Sequence, residues 1–111
     1  MTSNPNTWTD VQSAVSAEGC PEFDTWISKL EWLALAWAGE VGEVCNVIKK
    51  IRRDDEHGTP SLERMHKLRA EIVDSVVYLL VMLDHLGVKA DSLPAEILLA
   101  HEAFLGRKSA K

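Results

Sequence analysis

The segment AEIVDSVVYLLVML, residues 70–83, carries only two charged side chains, Glu71 and Asp74. From Ile72 onward its apolar residues cover every side of a helix rather than one stripe, which indicates burial on all sides. Gly87 is expected to end this helix. Because a chain of 111 residues has few other helices to cover such a segment, we expect a second subunit to cover part of it. The sequence therefore predicts a homo-oligomer.

Helical periodicity, with sparse proline and glycine, predicts four helices. The first is expected to begin at Thr9, with Gln12 completing a capping box, and to end near Gly19. The second spans about residues 24–53, where apolar residues recur at spacings of three and four. This expected core stripe consists of Leu30, Leu33, Trp37, Val41, Val44, Ile48 and Ile51.

The third helix is expected over about residues 60–86, with Thr59 as its N-cap. The fourth is expected to be capped by Asp91 or Ser92 and to end at Gly106. No segment has a convincing strand pattern. These elements predict an all-α, four-helix bundle-like fold in a single domain that spans the whole chain.

Composition narrows the classes of function. The hydrophobic and charged fractions, 46% and 26%, are typical of a globular protein. A net charge of −5 argues against a surface for nucleic-acid polymers, although it allows a nucleotide bound through a metal ion. Cys20 and Cys45 lack metal-binding or redox spacing, so reduced thiols are expected. The polar N-terminus, and the absence of an apolar run of about 18 residues, predict a cytoplasmic protein without a membrane segment.

Two carboxylate pairs are the main functional signal. Glu40 and Glu43 are the charged side chains of the apolar run 33–44, as Glu71 and Asp74 are of the later run. Residues three apart lie on one side of a helix, so the two pairs can face each other across a bundle. Four carboxylates in an apolar setting repel one another unless a cation binds between them. Their hard oxygen atoms suit Mg²⁺, or alternatively Mn²⁺.

Two other interpretations compete with this metal site. Di-iron bundles use a Glu-x-x-His motif, and none of the four histidines fits it: His57, His66, His85 and His101. A single Glu-x-x-Glu is most often an exposed face or an ion pair, but two pairs in apolar runs are harder to explain in that way. The alternative function is a non-catalytic helical module that binds nucleotides or other proteins.

The motif GEVGEVCNVIKK, followed by EIVDSVVYLL, resembles the MazG-type nucleoside triphosphate pyrophosphohydrolases of the all-α NTP pyrophosphatase superfamily. The family signature, Glu-x-x-Glu, a spacer and Glu-x-x-Asp, reads here as Glu40, Glu43, Glu71 and Asp74. The resemblance extends from about residue 23 to the C-terminus. It implies a Mg²⁺-dependent enzyme that cleaves (deoxy)nucleoside triphosphates to the monophosphate and pyrophosphate, controlling or cleaning the nucleotide pool. It also implies a homodimer or a dimer-based homotetramer.

Several residues near the four carboxylates are candidates for further roles. Glu43 is the expected general base. Lys50, two turns after it on the same face, is expected to neutralise phosphates. Trp32, Asn46 and Tyr78 are expected to contact the base or the sugar, Trp32 by stacking. The alternatives are core packing for Trp32, simple exposure for Lys50 and Asn46, and orientation of a carboxylate for Tyr78.

One part of the chain departs from the family pattern. Family members often carry Lys or Asn and then Arg in the last helix, whereas Ala100 and Phe104 stand at positions where polar groups would be expected. Arg107 is the remaining candidate there. The sequence favours deoxynucleotides modestly over ribonucleotides and leaves the base undetermined.

Overall fold

The computed structural model describes residues 7–18, 21–54 and 59–109. Within these residues the chain forms four α-helices and one 3₁₀ turn, without a strand, which confirms the all-α prediction. The elements are α1 (Trp8–Ser16), α2 (Trp26–Asp54), α3 (Leu62–His85), the 3₁₀ turn (Ala90–Ser92) and α4 (Leu93–Ser109). In the described part of the chain, none of the helices combines the length and the apolarity that a membrane crossing requires.

The start of α1 differs from the prediction. Its N-cap is Thr7 rather than Thr9, because the Thr7 hydroxyl accepts a hydrogen bond from the Asp10 amide at 3.0 Å. The expected capping box is therefore wrong, and Gln12 is not a capping residue. The helix ends at Ser16, and the predicted end near Gly19 lies outside the described residues.

Gln12 instead joins α1 to the C-terminal end of α3. The side chain is only 2% exposed. Its Nε2 donates hydrogen bonds to the carbonyl oxygens of Leu80 and Val88, at 3.0 and 2.9 Å. Its Oε1 accepts a hydrogen bond from the Ala90 amide at 2.9 Å. These three bonds satisfy the buried amide group and hold α1 in place on α3.

The predicted start of α3 is also corrected. Ser61, which directly precedes the helix in an extended conformation, is the N-cap, and its hydroxyl accepts from the Arg64 amide at 3.3 Å. Thr59 lies too far before the helix for this role. Arg64 also pairs with Asp54 at 2.9 Å, which ties the start of α3 to the end of α2.

Gly87 ends α3, as predicted. Its φ of 78° lies in the left-handed region that favours glycine. Its amide donates to the Asp84 carbonyl, and the Val88 amide donates to the Leu83 carbonyl, each at 2.9 Å. This pair of bonds is the Schellman motif, which satisfies the last carbonyl groups of a helix.

The helix α4 differs from the expected fourth helix of a bundle. It begins directly after Ser92, whose hydroxyl lies 2.8 Å from the Lys89 carbonyl and 3.0 Å from a Glu96 carboxylate oxygen. It continues through Gly106 to Ser109, so the predicted end at Gly106 is wrong. None of its residues is buried, and among the described elements it packs only against the 3₁₀ turn. The four helices therefore do not form a closed four-helix bundle in the part of the chain that the structure describes.

Packing centres on α3, which contacts both α2 and α1, while α1 and α2 do not contact each other. The buried apolar side chains are Leu33, Val47, Ile51, Leu80, Val81 and Ala90. Of the expected core stripe on α2, Leu33 and Ile51 are buried, whereas Val41 and Ile48 are exposed. The stripe is only partly covered because α3 is the one element that packs on α2 in the described chain.

Candidate functional site

Three of the four predicted carboxylates meet where α2 packs on α3. Glu40 of α2 and Glu71 and Asp74 of α3 each contribute a carboxylate oxygen, and these atoms all lie within 4.8 Å of one another. The spacing of three places the two α3 residues on one face of the helix, and the packing of α2 brings Glu40 to that face. We call these three residues the carboxylate cluster.

Glu43 lies outside the carboxylate cluster, although it was predicted within the same metal site. Its side chain is exposed on α2, and its carboxylate is not among the described oxygens within 4.8 Å of one another. It is nevertheless near, because its charge helps to raise the pKa values of both Glu40 and Lys67. The spacing from Glu40 placed Glu43 near the cluster, but its carboxylate does not join the three oxygen atoms that lie within 4.8 Å of one another.

The carboxylate cluster carries an excess of negative charge. The pKa of Glu40 is raised above its ordinary value of 4.5. Partial burial is the largest cause, followed by the charges of Asp74, Glu71 and Glu43 and a hydrogen bond with Glu71. Like charges crowded in this way favour a proton on one carboxylate or a cation between them.

Lys67 supplies part of the missing positive charge and was not predicted. Its Nζ lies 2.7 Å from Oε1 of Glu71, one helical turn later on α3. Glu71 is only 7% exposed. The hydrogen bond to Glu71 is the main reason that the pKa of Lys67 is raised. Lys67 could have been identified from the sequence, because the i,i+4 spacing of lysine and glutamate places their side chains side by side on a helix.

A cleft of about 360 Å³ opens beside the carboxylate cluster. Residues of α1, α2 and α3 and the turn after α1 line it, and α1 and α2 do not contact each other. Its lining residues are Val15, Glu18, Trp32, Leu33, Glu40, Asp74, Val77, Tyr78 and Val81. The volume falls within the range of about 300–1,000 Å³ that is typical of small-molecule sites.

Two predicted aromatic residues lie in this cleft. The rings of Trp32 and Tyr78 meet edge to face, with their centroids 6.2 Å apart. Phe23 supports Trp32 from outside the cleft lining, at a centroid distance of 5.8 Å. Trp32 is half-buried and lines the cleft together with Glu40 and Asp74, so it is not a pure core residue. An aromatic wall therefore lies next to the carboxylate cluster.

Other predicted residues are not brought to this place. Lys50 and Asn46 are exposed, and neither lines the cleft. Lys50 follows Glu43 by two helical turns, which is a rise of about 10.5 Å along α2. Arg107 is exposed on α4, which does not pack against α2 or α3.

Comparisons with known proteins do not assign a family or a function to this chain. No protein-family model, curated protein or solved structure matches this chain significantly.

Proposed function

We propose that this protein is a Mg²⁺-dependent nucleoside triphosphate pyrophosphohydrolase of the MazG type. It would hydrolyse (deoxy)nucleoside triphosphates to the monophosphate and pyrophosphate and so act on the cytoplasmic nucleotide pool. The observation that carries the proposal is the convergence of Glu40, Glu71 and Asp74 beside an aromatic-lined cleft. The carboxylate cluster thus supports binding of the triphosphate through a metal ion, and the adjacent aromatic cleft supports binding of the base.

The donor atoms of the carboxylate cluster fit Mg²⁺, with Mn²⁺ as the alternative. Hard divalent cations take carboxylate oxygens, and Mg²⁺ typically binds through a few carboxylates together with substrate phosphates. The raised pKa of Glu40 indicates that nearby positive charge does not balance the cluster. When bound, Mg²⁺ polarises phosphate oxygens and lowers the pKa of a water molecule.

The surrounding residues have separate proposed roles. Glu43 lies close to the cluster but outside it, so its carboxylate is free to accept the proton of the attacking water. Lys67 holds Glu71 in position through their ion pair. Trp32 and Tyr78 hold the base against the cleft wall, since every base offers a π-face for stacking.

The proposed active form is a homodimer or a dimer-based homotetramer. Large apolar side chains of α3 remain exposed, among them Ile72 at 45% and Val73 at 52%. An apolar groove of about 620 Å³ also opens between Trp8, α3 and the start of α4. Exposed apolar surface of this extent is typical of protein interfaces, and a second copy would cover it.

Release of pyrophosphate from a mixture of deoxynucleoside triphosphates with Mg²⁺ tests the proposal. We expect Glu40→Gln, Glu43→Gln, Glu71→Gln and Asp74→Asn each to lower turnover about a hundredfold or more, while circular dichroism retains the helical signal. Asp84→Asn is a matched control, because Asp84 is exposed on the same helix as Asp74 and does not line the cleft.

Near wild-type rates in both Glu43→Gln and Asp74→Asn would overturn the metal site. Nucleotide binding without pyrophosphate release by the wild-type protein would favour the non-catalytic module instead.

A further inference from the structure

The lysine that pairs with the carboxylate cluster keeps most of its side chain exposed. The Nζ atom of Lys67 lies 2.7 Å from Oε1 of Glu71. The side chain of Glu71 is only 9% exposed, whereas that of Lys67 is 62% exposed. An ammonium group has three hydrogen-bond donors, and the ion pair with Glu71 engages one of them. The exposed side chain therefore has further donors for a ligand that binds at the cluster.

The ammonium group of Lys67 also lies close to other acidic residues of the site. The charges of Glu43 and Asp74 act on it together with the charge of Glu71. By contrast, none of the described residues that line the cleft is a lysine or an arginine. Because the carboxylates repel a triphosphate, its binding here requires positive charge. A metal ion at the cluster is one source of that charge, and Lys67 is the second.

The order of residues along α3 gives a bound nucleotide a direction. Four residues follow one another at spacings of four, three and four and so lie on one face of the helix: Lys67, Glu71, Asp74 and Tyr78. The two carboxylates of the cluster lie between Lys67 at one end and Tyr78 at the other. Tyr78 lines the cleft together with Trp32. A nucleotide with its base in the cleft and its phosphates at the cluster therefore has its phosphate end toward Lys67.

We propose that Lys67 binds the phosphate groups of the nucleotide, in the role that the sequence predicted for Lys50. It keeps its ion pair with Glu71 and donates its remaining hydrogen bonds to phosphate oxygens. Lysine suits this contact, because its ammonium group is a compact charge on a flexible stem. The inference rests on the proposed function, because it assumes that a metal ion holds a triphosphate at the carboxylate cluster.

Calorimetry at saturating Mg²⁺ tests this role, with α,β-methylene analogues of the common deoxynucleoside triphosphates, which cannot release pyrophosphate. We expect Lys67→Met to raise the Kd about tenfold or more, because hydrogen bonds between charged groups are strong. Lys67→Arg keeps the charge and should stay within about threefold of the wild type. The control Lys89→Met removes an exposed lysine beyond the end of α3 and should leave the Kd unchanged. Because Lys67 is exposed, both of its variants should retain the helical signal in circular dichroism.

Saturating Mg²⁺ separates a phosphate contact from an effect that acts only through Glu71. If Lys67 only held Glu71 in position, the metal-loaded Lys67→Met variant would bind the analogue as tightly as the wild type. That result would overturn the inference. An equal loss of affinity in Lys67→Met and Lys67→Arg would also overturn it, because the positive charge would then not be what binds the nucleotide.

Pyrophosphate release from deoxynucleoside triphosphates separates failure of this inference from failure of the proposed function. Hydrolysis by the wild type, with an unchanged Kd in Lys67→Met, would overturn the role of Lys67 and leave the enzyme proposal standing. Analogue binding that depends on Lys67, without any pyrophosphate release, would uphold the phosphate contact and overturn the enzyme proposal. Failure of the folded wild type to bind any analogue would overturn the role of Lys67.

Discussion

Glu40 lies in an environment that disfavours its charged form and so lowers the stability of the folded protein. It is half-buried among like charges, and Lys67 pairs with Glu71 rather than with Glu40. Partial burial and the neighbouring carboxylates therefore raise its pKa. Crowded charges of this kind are typical of functional sites, where activity is retained at the expense of stability.

The raised pKa predicts a pH-dependent effect of Glu40→Gln. Because the pKa of Glu40 is higher in the folded state than in the unfolded state, Glu40 contributes favourably to the free energy of unfolding below about pH 4.5. This contribution is lost as the pH rises through the folded-state pKa. Without divalent metal, we therefore expect Glu40→Gln to have a higher Tm than the wild type at pH 7. The difference should shrink as the pH falls toward 4.5.

Thermal melts in a chelating buffer across this pH range measure the effect, with Glu102→Gln as the control that should match the wild type. Added Mg²⁺ should raise the Tm of the wild type more than that of Glu40→Gln, because a ligand that binds only the folded state stabilises it. A lower Tm for Glu40→Gln at pH 7 without metal would contradict the prediction.

At the scale of elements, the hydrogen bonds of the Gln12 side chain fix the position of α1 on α3. It follows Trp8 by four residues and precedes Val15 by three, so it lies on the apolar face of α1. This position was a sequence signal for a buried role. Its three partners, however, are distant in sequence: residue 80 near the end of α3, residue 88 in the loop after it and residue 90 in the 3₁₀ turn.

The substitution Gln12→Leu tests whether these hydrogen bonds hold α1 against α3. The substitution leaves the buried Ala90 amide without its acceptor, and we expect the free energy of unfolding to fall by about 2–3 kcal/mol. Urea denaturation measures the change. Ser13→Ala, at an exposed neighbouring position, should stay within about 0.5 kcal/mol of the wild type. An equally small loss in Gln12→Leu would show that α1 does not depend on these bonds.

At the scale of the whole molecule, the chain is more extended than a compact domain of its length. Its radius of gyration is 17.5 Å, against about 13 Å for a compact chain of this size. The helix α4, which among the described elements packs only against the 3₁₀ turn, contributes to this extension, and apolar side chains of α3 remain exposed. Both features are expected of a subunit whose partner completes the core.

We therefore expect sedimentation equilibrium to give a dimer or a tetramer. Ile72→Glu, which places a carboxylate on the exposed apolar side of α3, should shift the protein toward the monomer, because burying an unpaired charge is costly. Ser13→Glu adds the same charge at an exposed polar position of α1 and should leave assembly unchanged. A wild-type protein that sediments as a 12.4 kDa monomer would contradict the expectation.

Local features of the sequence determined the helices and part of the site. The spacing of apolar residues predicted α2 and α3 to within a few residues, and Gly87 ended α3 where its freedom at positive φ was needed. The spacing of three placed Glu71 and Asp74 on one face. Such features depend on a single helix, whose geometry follows from its own backbone.

Only the tertiary structure decided which side chains meet. Glu40 joins the carboxylate cluster while Glu43 does not, and Glu18 lines the cleft from the turn after α1, which the sequence did not connect with the site. Likewise, α4 has the composition of a bundle helix, but of the elements that the structure describes it packs only against the turn before it. Periodicity gives the direction of a side chain from its own helix axis. The rotation and distance of the neighbouring helix, which determine its contacts, come from packing across the whole chain.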